Sequence, residues 1–120
     1  LQLSNVKRLH IMVKFSRFAL LLSFAATGAM AQTGETKQMQ KEYMAPMTDM
    51  SHAMHEGVMD KDPDVAFAKG MLPHHQGAVE MAKVELKYGK DPEMRKLAEA
   101  IIQAQEAEIE QIQTWLKSRP

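Results

Sequence analysis

The chain has 120 residues, of which 15 are basic and 15 acidic, with 11 methionines and no cysteine. That allows one small domain and excludes disulfides, zinc-thiolate sites and cysteine nucleophiles. A mean hydropathy of −0.34 and the lack of an apolar run of about 18 residues argue against a multi-span membrane protein.

The formal neutrality hides an asymmetry. Residues 1–31 carry four basic groups, Lys7, Arg8, Lys14 and Arg17, and no acid. Met12 to Arg17 read as the charged start of a secretory signal peptide, Phe18 to Ala26 as its short apolar core, and Ala29-Met30-Ala31 as its cleavage site, with residues 1–11 an upstream extension. Cleavage near Ala31 leaves 89 residues with 11 basic and 15 acidic groups, a net charge of −4, in the periplasm or outside the cell. That charge speaks against a nucleic-acid partner. No cysteine follows the cleavage site to carry a lipid, so no stable membrane anchor is expected.

Residues 32–45 are polar, lack an apolar face and read as a flexible lead-in. The domain proper is expected over 46–118. In its first part Met47, Met50 and Met54 alternate with His52 and His55 at helical spacing, which predicts a short helix running to Met59. Asp60-Lys61-Asp62-Pro63 breaks it, and Asp62 or Asp64 can cap a second helix from about Asp64 to Tyr88. Gly89 is a natural residue just past that helix, and Asp91-Pro92 opens a third, to about Lys117. No strand pattern occurs. The fold class is all-α: an antiparallel hairpin of two long helices plus a short N-terminal helix.

The second helix gathers Phe67, Met71, His75, Ala78, Val79, Ala82 and Leu86 on one stripe. The third gathers Met94, Leu97, Ala98, Ile101, Ile109, Ile112, Trp115 and Leu116, interrupted by Gln105 and Glu108. Folding the hairpin about Lys90 sets His75 level with Gln105, and Met71 or Leu72 level with Glu108. An unpaired buried polar group costs about 1–3 kcal/mol, so this coincidence implies a network or a ligand site. Pro73 removes the backbone bond to the Lys69 carbonyl beside it.

Met71, His74 and His75 stand at i, i+3 and i+4, where a thioether and two imidazoles can reach one point. Thioether with imidazole suits Cu(I), with Cu(II) also accommodated, and a thioether needs no deprotonation to bind. Met47, Met50, His52, Met54, His55 and Met59 form a second cluster of the same character. Glu108 would fix the histidine tautomer from behind the metal, beside Gln105. The competing reading of methionine is core filling, which suits Met81 and Met94, or an exposed surface for a partner helix. No Glu-x-x-His pair, G-x-S-x-G elbow or phosphate-binding glycine loop occurs, so no enzyme is indicated.

The run Gly70-Met71-Leu72-Pro73-His74-His75-Gln76-Gly77-Ala78, followed by Met81-Ala82-Lys83, by Gln105-Glu106-Ala107-Glu108-Ile109 and by Trp115-Leu116, closely resembles the bacterial domain-of-unknown-function 305 family over about Asp62 to Lys117. The resemblance implies a ferritin-like helical bundle, usually exported. It also implies kinship with CopM-type periplasmic copper-binding proteins that assist copper resistance, with Met71, His74 and His75 as ligands and Gln105 and Glu108 matching the second motif. Many members are longer, whereas this chain offers two long helices and a short one. A core that small is marginal alone, so a bundle completed by a homodimer is expected. The resulting expectation is a copper-binding protein for sequestration, chaperoning or resistance, whose partners are the metal ion, a second copy and a copper donor or acceptor protein. The alternative is an envelope interaction module in which His75, Gln105 and Glu108 are only a buried polar network.

Overall fold

Asp62 and Asp91 set the two ends from which the long helices grow. In the computed structural model, which describes residues 33–119, each aspartate precedes a proline and turns its carboxylate onto free N–H groups of the next turn. Asp62 accepts from Asp64 N at 2.8 Å and Val65 N at 3.1 Å, and Asp91 accepts from Glu93 N and Met94 N at 3.0 Å each. A cap of this kind stabilises a helix by about 1 kcal/mol. Three helices result: α1 over residues 33–57, α2 over Pro63–Tyr88 and α3 over Pro92–Lys117. No strand occurs among the described residues, and no described helix is long and apolar enough to cross a membrane. The signal-peptide expectation for 1–31 lies outside the described residues. The chain divides into a unit ending at Gln38 and a second beginning at Met39; the contacts below belong to the second.

Three expectations are corrected. The lead-in is not loose, because residues 33–45 are helical and continue through Pro46 to 57. Its Glu, Gln, Lys, Met and Ala content favours helix without an apolar face. Side chains from this stretch also hold it to α2: Lys87 donates to Glu42 at 2.6 Å, Tyr88 OH to Glu42 at 3.0 Å, and Tyr43 OH to Glu85 at 3.3 Å. Burial, followed by the Glu85 charge and hydrogen bond, pushes the Tyr43 hydroxyl above its ordinary pKa. Gly89 does not use its left-handed freedom: its φ is −69°, and its backbone lies so close to Glu85 that a Cβ would fall 2.7 Å from that residue's carbonyl oxygen. Arg95 instead caps the end of α2, donating to the carbonyls of Leu86 and Gly89 at 2.8 and 2.9 Å. Phe67, finally, is 66% exposed rather than buried in its stripe.

α2 lies between the other two helices. Gly70 and Gly77, seven residues apart, meet α1 at Gly57 and Met50, also seven apart, in antiparallel register, and Tyr43, seven residues before Met50, bonds to Glu85 further along α2. His75 marks the side toward α3, about 200° around α2 from Gly77. Among the described residues, the buried apolar side chains are Ala68, Val79, Ala82, Val84 and Ala98.

The α1–α2 connection is pinned by Asp60, which accepts from Lys69 Nζ at 2.7 Å and from Asp62 N at 3.1 Å. The Lys69 hydrogen bond, and then that from Asp62, hold its carboxyl below the ordinary carboxylate range. The folded state therefore releases this proton more readily than the unfolded state. The tie is fully present above the unfolded pKa and is lost as pH falls through the lower folded value. Thermal melts between about pH 3 and pH 6 should show a smaller acid-side loss for Asp60→Asn than for the native chain; identical slopes would mean that the pair is not formed in solution.

Candidate functional site

His75 is 5% exposed, and both of its ring nitrogens are engaged. Nδ1 is hydrogen-bonded to the Met71 carbonyl at 2.9 Å, and Nε2 to the Glu108 carboxylate. Neither nitrogen keeps a free lone pair. The polar residues of the two stripes do meet, but the partner is Glu108 rather than Gln105. The reason is that side chains tilt toward the N-terminus of their helix. On antiparallel helices they lean toward each other and touch a few residues off the level of their backbones. The Gln105 carbonyl oxygen is instead buried with no hydrogen-bond partner among the described residues.

Beside this pair, Asp64, Phe67, Ala68 and Met71 of α2 and Glu108, Gln111, Ile112 and Trp115 of α3 enclose an open groove of ≈ 500 Å³. Arg119 closes its end, stacked 3.9 Å from the centroid of the Trp115 ring. His75 forms part of the groove floor.

The other expected ligands separate into three groups. Met50 fills the notch at Gly77, its Sδ lying where a side chain there would begin. His52 and His55 lie on the exposed outside of α1 and Met59 in the turn that follows it, with Met59 70% exposed and His52 3.4 Å from Glu56. Met47 and Met54 lie on a third side. One flank of the α1–α2 seam is the pocket lined by Pro46, Asp49 and Ala53 with Pro73, Gln76 and Glu80. At about 100° per residue, the opposite flank carries Met47 and Met54 of α1, which the antiparallel register sets level with Met81 and His74 of α2. Met71 continues the same side toward the groove.

His74 is the exposed member of the histidine pair. Its ring stands edge-on to His75, centroids 5.8 Å apart, and takes no hydrogen bond from the described residues. One side of the molecule thus carries four thioethers, Met47, Met54, Met71 and Met81, along a strip that includes the His74 imidazole; Met54 is level with His74, while Met47 and Met81 stand about 10 Å further along the helices. Met81, read from sequence as core filler, belongs to this set. Its seven-residue spacing from His74, matching that of Met47 and Met54, was the available signal. No three His, Cys, Asp or Glu side chains converge among the described residues, so a site for a metal that requires such ligands alone is not built there.

The fold and these residues define a small helical protein with a methionine-lined face and a buried histidine paired with a half-exposed glutamate. The chain belongs to the family described as "Domain of unknown function (DUF305)", whose model matches residues 13–116. It is also similar to the uncharacterized protein L153 of Acanthamoeba polyphaga mimivirus, 38% identical over 56 residues, which is 47% of this chain and 37% of that protein. The matched part of the chain thus spans little more than a third of that relative.

Proposed function

We propose that the protein captures copper as Cu(I) on the face formed by Met47, Met54, Met71, His74 and Met81, and that it does so in the periplasm or outside the cell for sequestration or delivery. The observation that carries this reading is a strip of four thioethers that includes a histidine whose ring nitrogens take no hydrogen bond from the described residues, with Met54 level with it and Met71 about one turn away. The donor set fits the ion. Thioether and imidazole are soft and neutral, so they bind Cu(I) without losing a proton, and they discriminate against Zn(II), which prefers thiolate, imidazole or carboxylate. The bound ion would supply no chemistry beyond being held. His75 is assigned a supporting role, since it would have to release Glu108 before ligating. An open face suits exchange with a copper donor or acceptor protein.

A second reading is favoured by one specific observation, the engagement of both His75 nitrogens: the motif histidine serves the fold, and the methionine face meets a protein partner.

An anaerobic Cu(I) titration against a chromophoric chelator separates the two. His74→Ala is expected to weaken Cu(I) capture by about tenfold or more, equivalent to about 1.4 kcal/mol, with helical content unchanged and no effect on Zn(II). His75→Ala should lower stability while leaving Cu(I) affinity near native. Native affinity in His74→Ala would remove the copper reading of this face.

A further inference from the structure

The groove lies at one end of the α2/α3 pair, and at the other end of the same side stands an apolar projection with nothing against it. Met94 and Leu97, in the first turns of α3, are 44% and 50% exposed. Phe67, on the groove wall, is 66% exposed. Projection and groove are separated along α3 by the distance from Leu97 to Ile112, about 22 Å.

We infer that two copies of the chain pair antiparallel across this side, each inserting Met94 and Leu97 into the other's groove between Phe67, Ile112 and Trp115. This inference does not rest on copper binding. Three observations select a second copy as the occupant.

The first is self-complementarity. A two-fold axis across the helices places each projection over the partner's groove, so a single contact is made twice and the pair closes. A head-to-head arrangement would instead set projection against projection and leave both grooves open.

The second is charge. Glu93 and Lys96 flank the projection, and Arg119 and Asp64 flank the groove, so each end offers one charge of each sign to the other. Glu108, inside the groove, is already engaged by His75.

The third is area. Two helices of 26 residues are each about 39 Å long and pack about 9 Å apart, which makes this side on the order of 700 Å². That is close to the roughly 800 Å² per partner of a standard protein interface. The contact would also cover the residues expected to be buried from their stripes that the single chain leaves in solvent.

The sequence contains no cysteine, which permits a clean crosslinking test with the purified protein. Within one chain, Leu97 stands level with Lys83 on α2, about 16 positions from Phe67, or about 24 Å away. A disulfide between the two positions needs Cα atoms within about 7 Å, so it can form only between copies. Mild oxidation of Leu97→Cys mixed with Phe67→Cys is expected to give a covalent dimer, while either variant alone gives none. Light scattering should report twice the chain mass for the native protein. Leu97→Asp, at a half-exposed position that leaves the helices intact by circular dichroism, should weaken the dimer by about tenfold or more. A native monomer at high micromolar concentration, a dimer undiminished by Leu97→Asp, or crosslinking of Leu97→Cys with itself would each overturn the assignment.

Discussion

His75→Ala is expected to lower the stability of the chain by about 2–4 kcal/mol, the range for truncating a large buried side chain to alanine. The ring fills the seam between α2 and α3 and ties the two helices through Met71 on one side and Glu108 on the other. Its removal leaves a void in that seam. Glu108 bears little of this cost, because its side chain is 57% exposed and returns to water. Glu108→Ala is a different experiment. It leaves Nε2 buried without a partner, and an orphaned buried group costs about 1–3 kcal/mol. Glu108→Gln keeps an amide oxygen in reach and should cost less than either. The expected order of loss in urea unfolding followed by circular dichroism is therefore His75→Ala, then Glu108→Ala, then Glu108→Gln. A neutral Glu108→Ala would show that the contact does not persist in water, and the family motif would then need another explanation.

What the sequence revealed most directly was local chemistry. Asp62-Pro63 and Asp91-Pro92 announce helix starts because the cap and the proline act on adjacent backbone, and both helices begin there. The meeting of α2 and α3 at their polar residues was also legible, since burying His75, Gln105 and Glu108 separately would be costly. Glu108 reads from sequence as the residue that fixes the histidine tautomer, but the level drawn between backbones sets Gln105 opposite His75, because it omits the tilt of the side chains. The methionine and histidine cluster of α1 misled for a related reason. Spacing of three and four residues says that side chains share a helix, but not which stripe turns inward. Met50 is drawn in by the absent side chain at Gly77, and that leaves Met47 and Met54 on one flank and His52, His55 and Met59 outside. The signal for this pairing was the seven-residue spacing of Gly70 and Gly77, matched by Met50 and Gly57. It becomes meaningful only once α1 is known to lie antiparallel on α2.

Gly57 is where that pairing is tightest, and Gly57→Ala is expected to destabilise the chain by about 2 kcal/mol, within the usual range for overpacking. A Cβ there would lie 2.5 Å from the Lys69 carbonyl oxygen and 2.6 Å from its carbon, both backbone atoms of α2 that cannot turn aside. The higher helix propensity of alanine returns up to about 1 kcal/mol, less here at the last helical residue, and so does not offset the clash. For a domain of this size each kcal/mol lowers the melting temperature by about 4–8 °C, which makes the loss easy to measure. Gly77→Ala is the internal control. Its Cβ would meet Met50 Sδ at 2.7 Å, which a flexible thioether can relieve, and Met50 Cβ at 3.1 Å, which asks α1 to shift by only a few tenths of an ångström, so the loss should be clearly smaller than for Gly57→Ala. The Lys69 carbonyl is also the one that Pro73, lacking an N–H, leaves without its i+4 partner. Gly57 thus packs against an oxygen that the helix itself does not claim. Pro73→Ala restores the missing donor and draws that carbonyl back toward the helix axis, so Gly57→Ala should cost less in the Pro73→Ala background than in the native one. Equal losses in the two backgrounds would mean that the close approach of α1 does not depend on the proline, and that the glycine alone sets the spacing of the two helices.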